Sequence, residues 1–103
     1  MRLTRRADFE RLLRSGARRT LQGYTFITAV RDAGGPRLGL LVSRRHAPKA
    51  VQRNRIKRSI REAFRLERAK LGALDILVRP PLAAKASRDL VARLRTLFSH
   101  LAP

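Results

Sequence analysis

The 103-residue sequence has no cysteine, which excludes a disulfide scaffold, a cysteine nucleophile and a thiolate zinc site. That composition suits a reducing cytosol, and a cytoplasmic location is expected. Acids are scarce: seven Asp and Glu stand against 25 Lys and Arg, for a formal net charge of +18. Lysine is scarce too, since only Lys49, Lys57, Lys70 and Lys85 accompany the arginines. No apolar run exceeds a few residues, so no membrane span is expected. The opening Met1-Arg-Leu-Thr-Arg-Arg6 is not followed by a signal-peptide core. There is no internal repeat, low-complexity tract or glycine-rich phosphate loop.

What remains is enough for one globule. About 44% of the residues are hydrophobic, which excludes a disordered basic tail. A single domain spanning residues 1–103 is the expectation. The positive surplus makes the folded chain repel itself, and a polyanion relieves that repulsion. Arginine forks onto phosphate with two hydrogen bonds and stacks on bases, so nucleic acid is the first partner to consider.

Local patterns give an order of elements. Thr4 is positioned to cap a first helix carrying Phe9, Leu12 and Leu13 on one stripe and ending at Gly16. A short strand is expected over Arg18–Gln22, interrupted by Gly23. Tyr24–Val30 alternates as a strand, Asp32–Pro36 is a turn cluster, and Arg37–Ser43 reads as a strand forming an antiparallel hairpin with it. Lys49–Leu71 is helical, with Ile56, Ile60, Ala63, Phe64 and Leu71 on one stripe. Pro48 suits its start and Gly72 its end. Asp75–Arg79 reads as a buried strand closed by Pro80-Pro81. A last helix is expected over Lys85–Leu101, with Leu90, Leu94, Leu97, Phe98 and Leu101 inward. The sum is an α+β sandwich of order α-β-β-β-α-β-α.

The segment Arg44–Arg65 carries the most information. On a helical wheel Asn54, Arg58, Arg61, Arg65 and Arg68 fall about 80° to 160° from Ile60, a polar row beside the apolar stripe. Such a row lies along the seam between helix and sheet and gives a groove one charged wall. Lys49 to Lys70 holds nine basic residues and only Glu62 and Glu67 to pair with them. Like charges at i, i+4 destabilise a helix, so a bland solvated face explains this run poorly and a ligand explains it well. Phe9 is either core or a ring at the groove that stacks an unpaired base.

No catalytic residue is assigned. His46 and His100 are far apart in sequence, and the seven acids form no D-x-D or E-x-x-H cluster. No metal site is assigned either, so any chemistry belongs to a partner.

Four stretches then carry a resemblance: Phe9-Glu-Arg-Leu-Leu-Arg-Ser-Gly16, Arg37-Leu-Gly-Leu-Leu-Val-Ser-Arg-Arg45, Ala50–Arg65 with its Arg53-Asn54-Arg55 block, and Asp75-Ile-Leu-Val78. In this order the chain resembles the bacterial ribonuclease P protein component. The resemblance implies the small protein subunit of a tRNA-processing ribozyme. Its RNA subunit, with bound magnesium, would cleave the 5′ leader from precursor tRNA. The partners implied are that catalytic RNA and precursor tRNA, with no membrane and no protein partner required. It implies a ribosomal-protein domain 2-like fold with a left-handed β-α-β crossover, where the general rule favours right-handed connections.

By motif, RNA contact falls to Arg44, Arg45, Arg53, Asn54, Arg55, Lys57, Arg58, Arg61 and Arg65. A leader cleft falls to Phe9, Leu13, Ser43, Asn54 and Arg61. Leu13 stands where the family often has a second Phe, and His46-Ala47-Pro48 replaces a segment that often contains Gly. The competing reading is a ribosomal or RNA-assembly protein that binds structured RNA without catalysis. A DNA-binding module is weaker, because no helix-turn-helix spacing or dimerising heptad occurs.

Overall fold

The computed structural model describes residues 2–3 and 5–101. Helix α1 (Arg6–Ser15) follows Arg5, whose side chain makes no capping bond, and Asp8 supplies an acid to the first turn. The Thr4 expected as its cap lies outside the described residues. The helix buries Leu12 and half-buries Phe9, while Leu13 is 40% exposed.

Strands β1 (Ala17–Leu21) and β2 (Tyr24–Val30) form an antiparallel hairpin with Leu21 opposite Tyr24. Gln22 at φ 51° and Gly23 at φ 82° make the two-residue turn. Two successive positive φ angles match the twist of the flanking strands, and glycine meets the second at no steric cost. The expected hairpin between β2 and β3 (Arg37–Leu40) does not form. Strand β4 (Leu74–Arg79) inserts between them, giving the order β1-β2-β4-β3. β4 pairs antiparallel with β2 and parallel with β3. The reason is burial. Leu74 to Val78 are all buried, and a strand covered on both faces belongs at the centre of a sheet. β3 ends at Leu40 rather than Ser43; the Leu41 N–H still donates to the Val78 carbonyl at 2.9 Å, and the turn towards the next helix begins at Ser43, whose carbonyl accepts the His46 N–H.

Helix α2 (Ala50–Glu67) and a following 3₁₀ turn (Arg68–Lys70) connect the parallel pair β3 and β4. That β3-α2-β4 unit is the crossover to which the resemblance assigns a left hand. Ile56, Ile60, Ala63 and Phe64 are buried, as their spacing predicts. Helix α3 (Leu90–Ser99) begins later than Lys85. The segment before it is tied elsewhere: the Ala84 N–H donates to the His46 carbonyl at 2.9 Å, and Ser87 Oγ donates to Asp89 Oδ1 at 2.6 Å.

The sheet separates two cores. Tyr24, Phe26, Leu38, Ile76 and Val78 pack with α2 and α3. There Phe98 meets Phe26 and Phe64 edge-on, at centroid distances of 5.5 and 5.9 Å. On the other face Ile27 and Leu77 pack with Leu3 and Leu12, beneath α1. Helices therefore pack on both faces of the sheet, β1 stays largely exposed, and the β3 edge lies between α1 and α2.

Candidate nucleic-acid interface

Helix α2 is fixed from three directions. Its apolar stripe sits on the sheet. At its far end the buried Glu67 accepts from Arg95 Nε of α3 at 2.8 Å. At its start Arg53 Nη1 donates to the carbonyls of Ala47 and Pro48, at 3.1 and 2.8 Å. Those two bonds give Arg53 a structural duty, tying the first turn of the helix to the segment before it; Lys49 makes no side-chain cap.

The cationic face is largely free of carboxylates. Glu67 is turned inward, and Glu62 is taken by Arg65 at 2.6 Å. Among the described residues Arg44, Arg45, Arg55, Lys57, Arg58 and Arg61 form no ion pair. Asn54, Arg55, Arg58, Arg61 and Arg65 are all exposed.

A cleft of about 470 Å³ runs along the β3 edge. Phe9 of α1 forms one wall, Lys57, Arg61 and Phe64 of α2 the other, and Leu38–Leu40 the floor; Arg2 and Leu3 close one end. Arg2 and Leu3 reach it by extending the sheet: Arg2 bridges Leu38, and the Leu3 N–H donates to the Leu38 carbonyl at 2.9 Å. Gly39 sets the depth. A Cβ there would lie 2.5 Å from Leu77 Cδ2 and 3.0 Å from two carbons of the Phe9 ring. The ring rests against bare backbone and stays half-buried at the cleft, so Phe9 belongs both to the α1 core and to the groove. Burial, and then the neighbouring Arg2 charge, pull the Arg61 guanidinium below its ordinary value. It stays cationic at neutral pH.

The structure thus brings Phe9 and Arg61 together across the groove and adds Lys57 to the Arg61 wall. Leu13, Ser43 and Asn54 are not among the cleft-lining residues. Ser43 organises the turn before α2: its carbonyl accepts the N–H of His46 and of Ala47, at 3.0 and 3.1 Å, and its Oγ accepts the Arg45 N–H at 3.3 Å. Sequence reasoning missed Arg2, whose position depends on a tertiary bridge. Lys57 was placed on the RNA-docking face, although its i, i+4 spacing to Arg61 already put both on one wall. The other omission is Asp75. It is fully buried beneath α1 and accepts from Arg37 Nε and Nη2 at 2.8 and 2.7 Å and from Arg11 Nη2 at 3.2 Å.

Among the described residues no group of three or more His, Asp or Glu could hold a metal ion. Five of the seven acids, Asp8, Glu10, Glu62, Glu67 and Asp75, pair with arginines instead, so the described residues offer no ready-made magnesium cage and no chemical step is assigned to one.

A basic α+β domain with a one-sided cationic helix and an edge cleft is built to grip a polyanion. Comparison gives the particular kind. The family model described as Ribonuclease P matches residues 1–102. The ribonuclease P protein component of Halorhodospira halophila is 39% identical over 102 residues, covering 96% of this chain and 84% of that protein. That of Methylococcus capsulatus is 37% identical over 99 residues, covering 96% and 77%. The Staphylococcus aureus RNase P protein structure superposes with a TM-score of 0.80 at 30% identity, over 97% of this chain and 90% of that one. The Thermotoga maritima protein gives 0.71 at 26%, over 98% and 91%. The chain belongs to the ribonuclease P protein family. It is the protein subunit of an endoribonuclease ribonucleoprotein that works with an RNA subunit in tRNA processing.

Proposed function

We propose that residues 1–103 act as one RNA-binding domain with two working surfaces. The cleft holds the single-stranded 5′ leader of precursor tRNA. The α2 face docks the catalytic RNA, which carries out phosphodiester hydrolysis with magnesium that it holds itself, in the cytoplasm. The observation that carries the reading is the make-up of the cleft: an aromatic ring and apolar backbone opposite Lys57 and Arg61. An unpaired strand offers both chemistries, a base to lie on the ring and a backbone to meet the cations. In this reading Phe9, Arg61 and Lys57 hold the leader. Arg44, Arg45, Asn54, Arg55, Arg58 and Arg65 contact the catalytic RNA. Arg53 shapes the start of α2 beside them, and Ser43 organises the turn that leads into it.

The test is reconstitution with a ribonuclease P RNA and magnesium. The chain should stimulate 5′ maturation, and it should bind precursor more tightly than mature tRNA. Equal binding of the two would remove the leader cleft from the reading and leave a general RNA-assembly role.

A further inference from the structure

Where β4 ends, a second depression of about 310 Å³ is lined by Gly23, Thr25, Arg45, His46, Arg79 and the Pro80–Leu82 segment. It shares no lining residue with the β3-edge cleft. Its walls are stiff. Pro80-Pro81 restricts the backbone on one side, and the β1–β2 turn leans on it so closely that a Cβ on Gly23 would lie 3.2 Å from Pro81 Cβ.

Two cations face this space without partners. Among the described residues neither the Arg45 nor the Arg79 guanidinium makes an ion pair or a side-chain hydrogen bond, and no carboxylate lines the depression. His46 stands with them and is fixed through its backbone: its N–H donates to the Ser43 carbonyl at 3.0 Å, and its carbonyl accepts from Ala84 at 2.9 Å. Its Nδ1 accepts the Ser43 N–H at 3.0 Å, so the neutral ring carries its proton on Nε2. Ser43 Oγ lies 3.2 Å from the same Nδ1 and can accept from it once the ring is doubly protonated. Either charge state therefore keeps an Nε2–H for a ligand.

We propose that Arg45, His46 and Arg79 form a site for a single phosphate group, which takes one backbone phosphodiester of RNA away from the leader cleft. The proposal extends the RNA-binding reading above to a second place on the domain, while the phosphate binding itself does not depend on that reading. The groups around His46 are Ser43 and Arg45 from its own turn, Arg79 from β4 and Thr25 from β2. Burial, then Arg79, then Arg45, hold the imidazole below its ordinary value. An anion placed among these groups offsets the repulsion and favours the imidazolium, so binding takes up a proton.

The full chain has two histidines, His46 and His100, whose ring protons can be followed separately by NMR. Inorganic phosphate should saturably raise the titration midpoint of His46 by about half a pH unit or more and leave His100 unmoved. Arg79→Gln should abolish the response without lowering the melting temperature, since Arg79 is exposed and has no partner to lose. Sodium chloride at matched ionic strength reproducing the shift would reduce it to screening and overturn the site. So would a shift that survives Arg79→Gln.

A second arm uses the reconstituted ribonucleoprotein. Arg79→Gln should weaken binding of either the catalytic RNA or tRNA about tenfold, with a salt slope shallower by about one. The RNA that responds is the source of the phosphate, and the ratio of precursor to mature tRNA affinity should stay as it was. Unchanged affinity for both RNAs would overturn the RNA assignment even if inorganic phosphate binds. A changed precursor-to-mature ratio would place Arg79 in the leader path and overturn the separation of the two sites.

Discussion

Arg37 meets Asp75 as a two-pronged fork, Nε to Oδ1 at 2.8 Å and Nη2 to Oδ2 at 2.7 Å, on a carboxylate with no exposed side-chain surface. The pair ties edge strand β3 to central strand β4 directly beneath α1. Arg11 reaches the same carboxylate from α1, and Arg31 Nε lies 2.8 Å from Oδ1 as a charge contact. The floor of the cleft and one of its walls are thus pinned to a single side chain.

Acid should unpin them. Burial pushes the Asp75 carboxyl up, but the Arg37 hydrogen bond and the charges of Arg37, Arg31 and Arg11 outweigh it and leave the group below its ordinary value. Its contribution is therefore complete above the unfolded value of about 3.9 and disappears as pH falls further, through the depressed folded value. Urea midpoints measured from pH 6 downwards should fall steeply at that acid end. Asp75→Ala should cost about 3–5 kcal/mol at neutral pH and flatten the acid limb, because the arginines would then face a buried void. An acid limb as steep in the variant as in the parent would assign it to other groups.

Phe9→Ala should separate two tRNA ligands. If a leader base stacks on the ring, precursor affinity falls by about 1–3 kcal/mol and mature tRNA is spared. The ring is half-buried, so the stability loss should stay below the roughly 3–5 kcal/mol of a fully buried phenylalanine. Thermal unfolding and both affinities on the same protein decide it; equal losses for both tRNAs would return Phe9 to the core alone.

Gly39→Ala should reproduce part of that phenotype from beneath. The new methyl meets Leu77 and the Phe9 ring, and overpacking of this kind costs about 1–3 kcal/mol. In a double-mutant cycle with Phe9→Ala the stability losses should be less than additive, since removing the ring relieves one of the two contacts. Full additivity would mean that Leu77 alone absorbs the strain.

Salt should distinguish free arginines from occupied ones. Binding of the catalytic RNA should weaken by several log units per decade of salt. Arg58→Gln should make that slope shallower by about one, whereas Arg53→Gln should lower stability by about 0.5–1.5 kcal/mol through its lost carbonyl bonds. Affinity measured from 0.1 to 0.5 M salt, with a melting curve for each variant, tests both expectations. A salt-independent affinity would sink the electrostatic account.

Much of this organisation is legible in the sequence. The α2 stripe announces itself because Ile56, Ile60, Ala63 and Phe64 repeat at a helix period on an otherwise charged segment. The wheel also places Arg61 beside the sheet, where the cleft has its wall. Strand pairing is different. β2 and β3 look like a hairpin because they are neighbours in sequence and separated by a glycine-proline turn, yet β4 outcompetes β3 through the length of its buried run. Nothing local to residues 24–43 encodes that competition. Asp75 is hidden for a related reason: an acid in an apolar strand looks like an interruption until three distant arginines are seen to converge on it. The Arg2 position is illegible in the same way, since a bridge to Leu38 has no periodic signature.

The insertion of β4 also has a temporal meaning. Arg37 pairs with Asp75, 38 residues further along the chain. A ribosome adding about 5–20 residues per second needs roughly two to eight seconds to make that interval. Throughout it, β3 lacks the central strand it pairs with, and the arginine-rich helix is already emerging. The groove is therefore among the last features of the domain to exist, and it arrives with β4 as a closing wedge. Nascent chains stalled before residue 75 would carry the charged helix without the groove, able to attract RNA but unable to hold a single strand.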